Sequence, residues 1–116
     1  KMKEDVLHKI VNNYLFIYSL EHKELVFYTY MPFGEKRTPI TGALLKAKGA
    51  KRGVSDFMLI FNNGITYWLE CKVKNEKQTL EQLEFEAMIK NKIKNHYYFI
   101  VKDLDYLDFI LKNKDW

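Results

Sequence analysis

The chain lacks most of the devices that hold small or membrane-bound proteins together. Cys71 is its only cysteine, so no disulfide can form within it. That fits a reducing cytosol, and a cytoplasmic location is the expectation. No apolar run approaches the ~20 residues of a membrane span. Nothing at the start reads as a signal peptide, since Lys1-Met2-Lys3 leads straight into a charged, amphipathic segment. There are no internal repeats and no low-complexity segments. The three histidines, His8, His22 and His96, are scattered and read as surface or helix residues. No His/Cys cluster suggests structural zinc.

What is present suffices for one domain spanning residues 1–116. A chain of this length buries roughly two thirds of its unfolded surface. With 47% hydrophobic residues and plentiful aromatics, disorder is not expected. The net charge is +4 and the pI about 9.0. Alone, that points only weakly to a polyanionic partner, because lysine is simply abundant.

Periodicity sets the order of elements. Val6, Leu7, Ile10, Val11, Tyr14, Leu15 and Tyr18 recur at helical spacing from Glu4 to Leu20, with Glu4 and Asp5 in the first turn. Leu25 to Met31 is a strand of branched and aromatic residues, ended by Pro32 and Gly34. Residues 32–52 are irregular, with a short helical piece expected from Ile40 to Lys48. The apolar runs Phe57 to Phe61 and Ile65 to Leu69 flank Asn62-Asn63-Gly64, a hairpin signal. Thr79-Leu80-Glu81-Gln82 matches a capping box with Thr79 at N-cap and Gln82 at N3. Its helix runs to about Lys94, with Leu80, Leu83, Met88 and Ile89 marking the apolar side, and Asn95 as a left-handed stop. A nearly continuous apolar strand covers Tyr97 to Val101. Asp103 or Asp105 caps a last helix, in which Tyr106, Leu107, Phe109, Ile110 and Leu111 pack back. The expected fold is α/β of α+β-like character. A mixed sheet of about four strands is flanked by helices, in the order helix, strand, loop with short helix, strand, strand, helix, strand, helix.

Two stretches carry chemistry. Lys36, Arg37, Lys46, Lys48, Lys51 and Arg52 fall in the irregular segment against a single acid, Glu35. A solvated loop explains them; so does a phosphate-contacting surface leading into Asp56. The hairpin is the second stretch. Asp56 opens its first strand, while Glu70 and Lys72 close the second and alternate onto one face. Two carboxylates supply hard oxygen ligands suited to magnesium or manganese. Lys72 beside them can acidify a water or neutralise charge building on a phosphate. Cys71 lies between Glu70 and Lys72 and points to the opposite face, into the core. Its backbone carbonyl is placed to serve as a metal ligand.

Ser55-Asp56, thirteen residues, then Glu70-Cys71-Lys72 resembles the PD-(D/E)xK nuclease signature. Arg52-Gly53-Val54-Ser55-Asp56, Trp68-Leu69-Glu70-Cys71-Lys72 and Leu80-Glu81-Gln82 with Phe85 resemble one branch, the VRR-NUC (virus-type replication-repair nuclease) domain. The resemblance covers nearly the whole chain and departs from the superfamily's named motif at Ser55, where proline stands. It implies a restriction-endonuclease-like core. Asp56 and Glu70 would bind magnesium or manganese, Lys72 would orient or activate water, and Gln82 would help hold the active site. Glu4 falls where related nucleases carry a metal-binding acid on the first helix; a dipole-stabilised surface glutamate explains it as well. The implied activity is a metal-dependent, structure-selective DNA endonuclease. Its substrate would be branched DNA such as a Holliday junction, as for stand-alone phage resolvases, which act as homodimers. The alternatives are a non-catalytic DNA-binding module of the same fold and a sequence-specific restriction-type nuclease. Phe27, Tyr28 and Tyr30 could supply a dimer interface, or simply belong to a buried strand.

Overall fold

The computed structural model describes residues 2–34 and 38–116. Its organising element is the hairpin of β2 (Phe57–Phe61) and β3 (Thr66–Cys71). Gly64 takes φ +90°, a conformation glycine adopts without penalty. The turn closes with the Phe61 N–H on the Ile65 carbonyl and the Gly64 N–H on the Phe61 carbonyl, both at 2.9 Å. Asn63 Oδ1 accepts from the Ile65 N–H at 3.1 Å.

Strand β1 (Leu25–Tyr30) adds antiparallel to β2, and β4 (His96–Val101) adds parallel to β3, giving the order β1-β2-β3-β4. The fold is therefore α+β, a four-stranded mixed sheet flanked by four helices, compatible with a restriction-endonuclease-like core. Phe57 stands opposite Leu69 in the register. The residue before Phe57 and the residue after Leu69 thus end up at the same rim, which is how Asp56 and Glu70 meet.

Alternation decides which face is the core. Phe57, Leu59, Phe61, Tyr67, Leu69, Cys71 and Val101 point to one face and are buried. Helix α1 (Glu4–Glu21) covers them with Leu7, Val11, Leu15 and Tyr18. Helix α4 (Leu104–Lys112), N-capped by Asp103, adds Leu107, Ile110 and Leu111. Each fully buried Leu or Phe contributes about 1.5–3 kcal/mol of transfer free energy. Tyr106 and Phe109 of α4 stay substantially exposed, contrary to the expectation that they pack back, because a helix presents only one stripe to the sheet.

Helix α3 (Leu80–Lys92) lies on the second face. The capping box forms as expected, and Asn95 takes φ +67°. The expected apolar side does not: Leu80, Leu83 and Met88 are exposed and only Ile89 is buried. Phe85 docks the helix instead, edge-on to Trp68 at 5.2 Å between ring centroids. Helix α2 (Pro39–Ala47) is N-capped by Thr38 and buries no residue. It begins one residue earlier than expected because proline fits a helix's first turn. No helix among the described residues is long and apolar enough to cross a membrane.

Gly53 joins this second face to the hairpin. Its φ is +86°, and a Cβ there would sit 2.3 Å from the Glu81 carbonyl oxygen and 2.9 Å from the Gln82 nitrogen. Backbone thus lies on backbone where α3 begins. Gly53→Ala should lower stability by roughly 2–4 kcal/mol through strain and overlap. Gly42→Ala, in α2 with nothing within 4 Å of the added methyl, should stabilise by about 0.5–1 kcal/mol. Urea unfolding of the two variants measures the contrast; equal effects would contradict the close approach.

Candidate active site

The site assembles at the rim where β2 begins and β3 ends. Asp56, 7% exposed, is fixed by a hydrogen bond from the Cys71 N–H to its Oδ2 at 2.7 Å. Glu70 is 1% exposed and Lys72 5%. Lys72 Nζ lies 3.9 Å from Glu70 Oε2. The structure thus brings together the three hairpin residues singled out by the sequence.

Gln82 reaches them from α3. Its Oε1 accepts from the Thr79 N–H at 2.9 Å, completing the capping box, while its Nε2 donates to Glu70 Oε2 at 3.1 Å. One amide therefore holds both the helix start and the buried carboxylate. Glu4 arrives from the first turn of α1 and is half-buried. Cys71 points into the core as expected. In an extended strand the N–H and C=O of one residue point to the same side. The Cys71 carbonyl therefore faces the side on which its N–H meets Asp56.

Two residues at this rim were not identified from the sequence. His8 reads there as a surface or helix residue, yet its Nε2 lies 3.5 Å from Asp56 Oδ2 and 3.7 Å from Glu4 Oε1. The i,i+4 spacing of Glu4 and His8 places both on one face of α1, and that was the available signal. Glu76, in the loop after β3, accepts the Val73 N–H at 3.0 Å and pairs with Glu4. No periodicity marks a loop residue of that kind.

The electrostatics show how crowded the carboxylates are. Burial, then the charge of Asp56, pushes Glu70 up to about 9, against the opposing pull of Lys72. Burial, a hydrogen bond to Glu76 and the charge of Asp56 push Glu4 up to about 7. Glu76 is lowered: hydrogen bonds from the Val73 N–H and Glu4 outweigh its desolvation. The Glu4–Glu76 pair therefore shares a proton above the usual carboxylate range. For His8, burial lowers the pKa, but the nearby carboxylate of Asp56, with those of Glu4 and Asp5, outweighs it and raises the value. Glu70 Oε1 is buried with no hydrogen-bond partner among the described residues. An orphaned carboxylate oxygen among acids that hold surplus protons fits a hard divalent cation.

The basic residues are placed more simply. Lys46, Lys48, Lys51 and Arg52 are all exposed, along the segment that leads into Gly53. Lys36 and Arg37 lie outside the described residues. Among the other histidines, His96 Nδ1 accepts from Trp68 Nε1 at 3.0 Å, and His22 stacks on Tyr18. No protein-family model matches the chain, and no curated protein or solved structure shows a significant match to it.

Raised carboxylate pKa values fix the sign of the pH dependence. A carboxyl that holds its proton more tightly when folded favours the folded state least once it must ionise. Without divalent cations, the melting temperature should fall as pH rises from about 4.5 through about 7, where Glu4 ionises, towards about 9 for Glu70. Magnesium should flatten that fall by replacing protons. Scanning fluorimetry in EDTA and in magnesium measures both curves; a flat profile in EDTA would contradict the shared-proton arrangement.

Proposed function

We propose that the protein is a metal-dependent DNA endonuclease of the VRR-NUC type that hydrolyses phosphodiester bonds in branched DNA. The observation that carries this reading is the convergence of Asp56, Glu70 and Lys72 in one buried cluster, with Glu4 and Gln82 beside them. Surface patterning does not require a buried lysine next to two buried carboxylates, since each buried ion carries a desolvation penalty of several kcal/mol. Retaining all three suits chemistry more than stability.

Asp56, Glu70, Glu4 and the Cys71 carbonyl would hold magnesium or manganese. When bound, the ion supplies charge neutralisation at the phosphate and a more acidic water. The chain's residues do the rest. The Cys71 N–H fixes the Asp56 carboxylate, and Gln82 fixes Glu70. Lys72 orients the attacking water and meets the negative charge that builds on the phosphate. The water oxygen bonds to phosphorus as the bond to the leaving sugar oxygen breaks. The exposed lysines of residues 46–52 would hold the phosphate backbone nearby, and so would Lys36 and Arg37. A homodimer would present two such sites to a four-way junction; Phe27, exposed on edge strand β1, suits that contact, whereas Tyr28 and Tyr30 pack against the core.

The decisive experiment is a manganese- and magnesium-dependent cleavage panel of junctions, flaps and linear duplexes of varied sequence, run alongside light scattering. Wild type should cut branched DNA as a dimer, and Lys72→Ala should be slower by roughly 100-fold or more while still binding it. Equal inertness of wild type and Lys72→Ala would leave only the DNA-binding module. Cutting confined to particular linear sequences would favour the restriction-type alternative.

Charge reversal at Lys46, Lys48 and Lys51 should weaken DNA binding at low salt. The slope of log affinity against log salt should shrink by roughly 0.9 for each lost phosphate contact. An unchanged slope would remove this segment from the interface.

A further inference from the structure

The oxygen-rich site does not use the imidazole or the thiol beside it. His8 Nε2, a carboxylate oxygen of Asp56 and Cys71 Sγ all lie within 4.8 Å of one another. They come from α1, the start of β2 and the end of β3. Nε2 is buried and has no hydrogen-bond partner among the described residues. Its separation from Asp56 Oδ2 is 3.5 Å. A tetrahedral ion with bonds of about 2.0–2.3 Å sets neighbouring ligand atoms about 3.3–3.8 Å apart. The nitrogen and oxygen already stand at that spacing. A groove of about 510 Å³, lined in part by Asp5, His8, Asn12 and Phe57, leads to the imidazole from solvent.

The donor set differs in kind from that of Glu70 and Asp56. Nitrogen and sulfur favour zinc and other transition-metal ions, whereas magnesium takes oxygen. We propose that His8, Asp56 and Cys71 form a second cation site, selective for a transition-metal ion such as zinc over magnesium. Glu4 Oε1, 3.7 Å from the same nitrogen, or a water completes the coordination. On binding, the Cys71 thiol gives its proton to solvent as the sulfur–metal bond forms. Asp56 belongs to both sites, so an ion held here withdraws a ligand from the oxygen-rich site. Metal binding at this site is read directly and does not depend on nuclease activity.

Cobalt(II) is the probe. Titrated into the intact chain in excess magnesium, it should give a saturable thiolate-to-cobalt charge-transfer absorption that zinc then bleaches. Cys71→Ser should abolish that absorption. His8→Ala should weaken cobalt affinity by roughly tenfold or more. Glu70→Gln should keep the absorption, which separates this site from the carboxylate one. Absence of the absorption in folded wild type would overturn the proposal, as would its loss to magnesium. Unchanged affinity in His8→Ala would do the same. Should Cys71→Ser fail to fold, as verified by circular dichroism, His8→Ala decides alone, since its side chain is 14% exposed and lies outside the central core.

Discussion

The constraint on which the site depends is the enforced proximity of carboxylates at a dry rim. Antiparallel pairing of β2 with β3 sets Asp56 beside Glu70, and the Cys71 N–H holds Asp56 in place at 2.7 Å. Helix α1 brings Glu4 to the same spot. Burial first, and then the neighbouring charge of Asp56, makes Glu4 and Glu70 keep protons well above the usual carboxylate range. The arrangement is costly for a folded chain without cations and is relieved by any positive charge placed among the oxygens. Lys72 and His8 supply part of that relief. A divalent cation would supply more.

Around this rim the structure relies on backbone contacts and dual-purpose side chains more than on apolar mass. Helix α3 buries only Ile89. It is positioned by Phe85 on Trp68, by Gly53 lying against the Glu81 backbone, and by Gln82. The Gln82 amide uses its oxygen for the cap and its nitrogen for Glu70, so the helix start and the site geometry are coupled. A perturbation that frays the cap also frees Glu70.

The two faces of the sheet divide the work. The face under α1 and α4 carries the core and turns Cys71 inward; the other carries Glu70, Lys72 and the α3 contacts. Asp56 stands where the two faces meet, at the strand's first turn from the loop. It therefore touches groups from both: the Cys71 N–H and His8 on one side, Glu70 on the other. The hard-oxygen site and the proposed nitrogen–sulfur site are adjacent for that reason.

Short-range patterns in the chain suffice for the elements and the hairpin triad. Periodicity located α1, the strands and α4 to within a residue or two, and Asn-Gly with two apolar runs fixed the hairpin. Once the hairpin was fixed, alternation required Glu70 and Lys72 to share a face near Asp56. Thr79 and Gln82 announced their cap by spacing alone. These are local rules, in which residues a few positions apart constrain one another. Packing of the elements on one another settled the rest. It turned Leu80, Leu83 and Met88 outward, because the sheet offers α3 a narrow docking strip at Trp68 and Tyr98. It brought Glu76 to Glu4. It converted His8 from an ordinary helix residue into a neighbour of Asp56 and Cys71. Residues 8, 56 and 71 have no shared periodicity, and only the angle at which α1 crosses the sheet, set by Leu7, Val11 and Leu15 in the core, aims that imidazole at the rim.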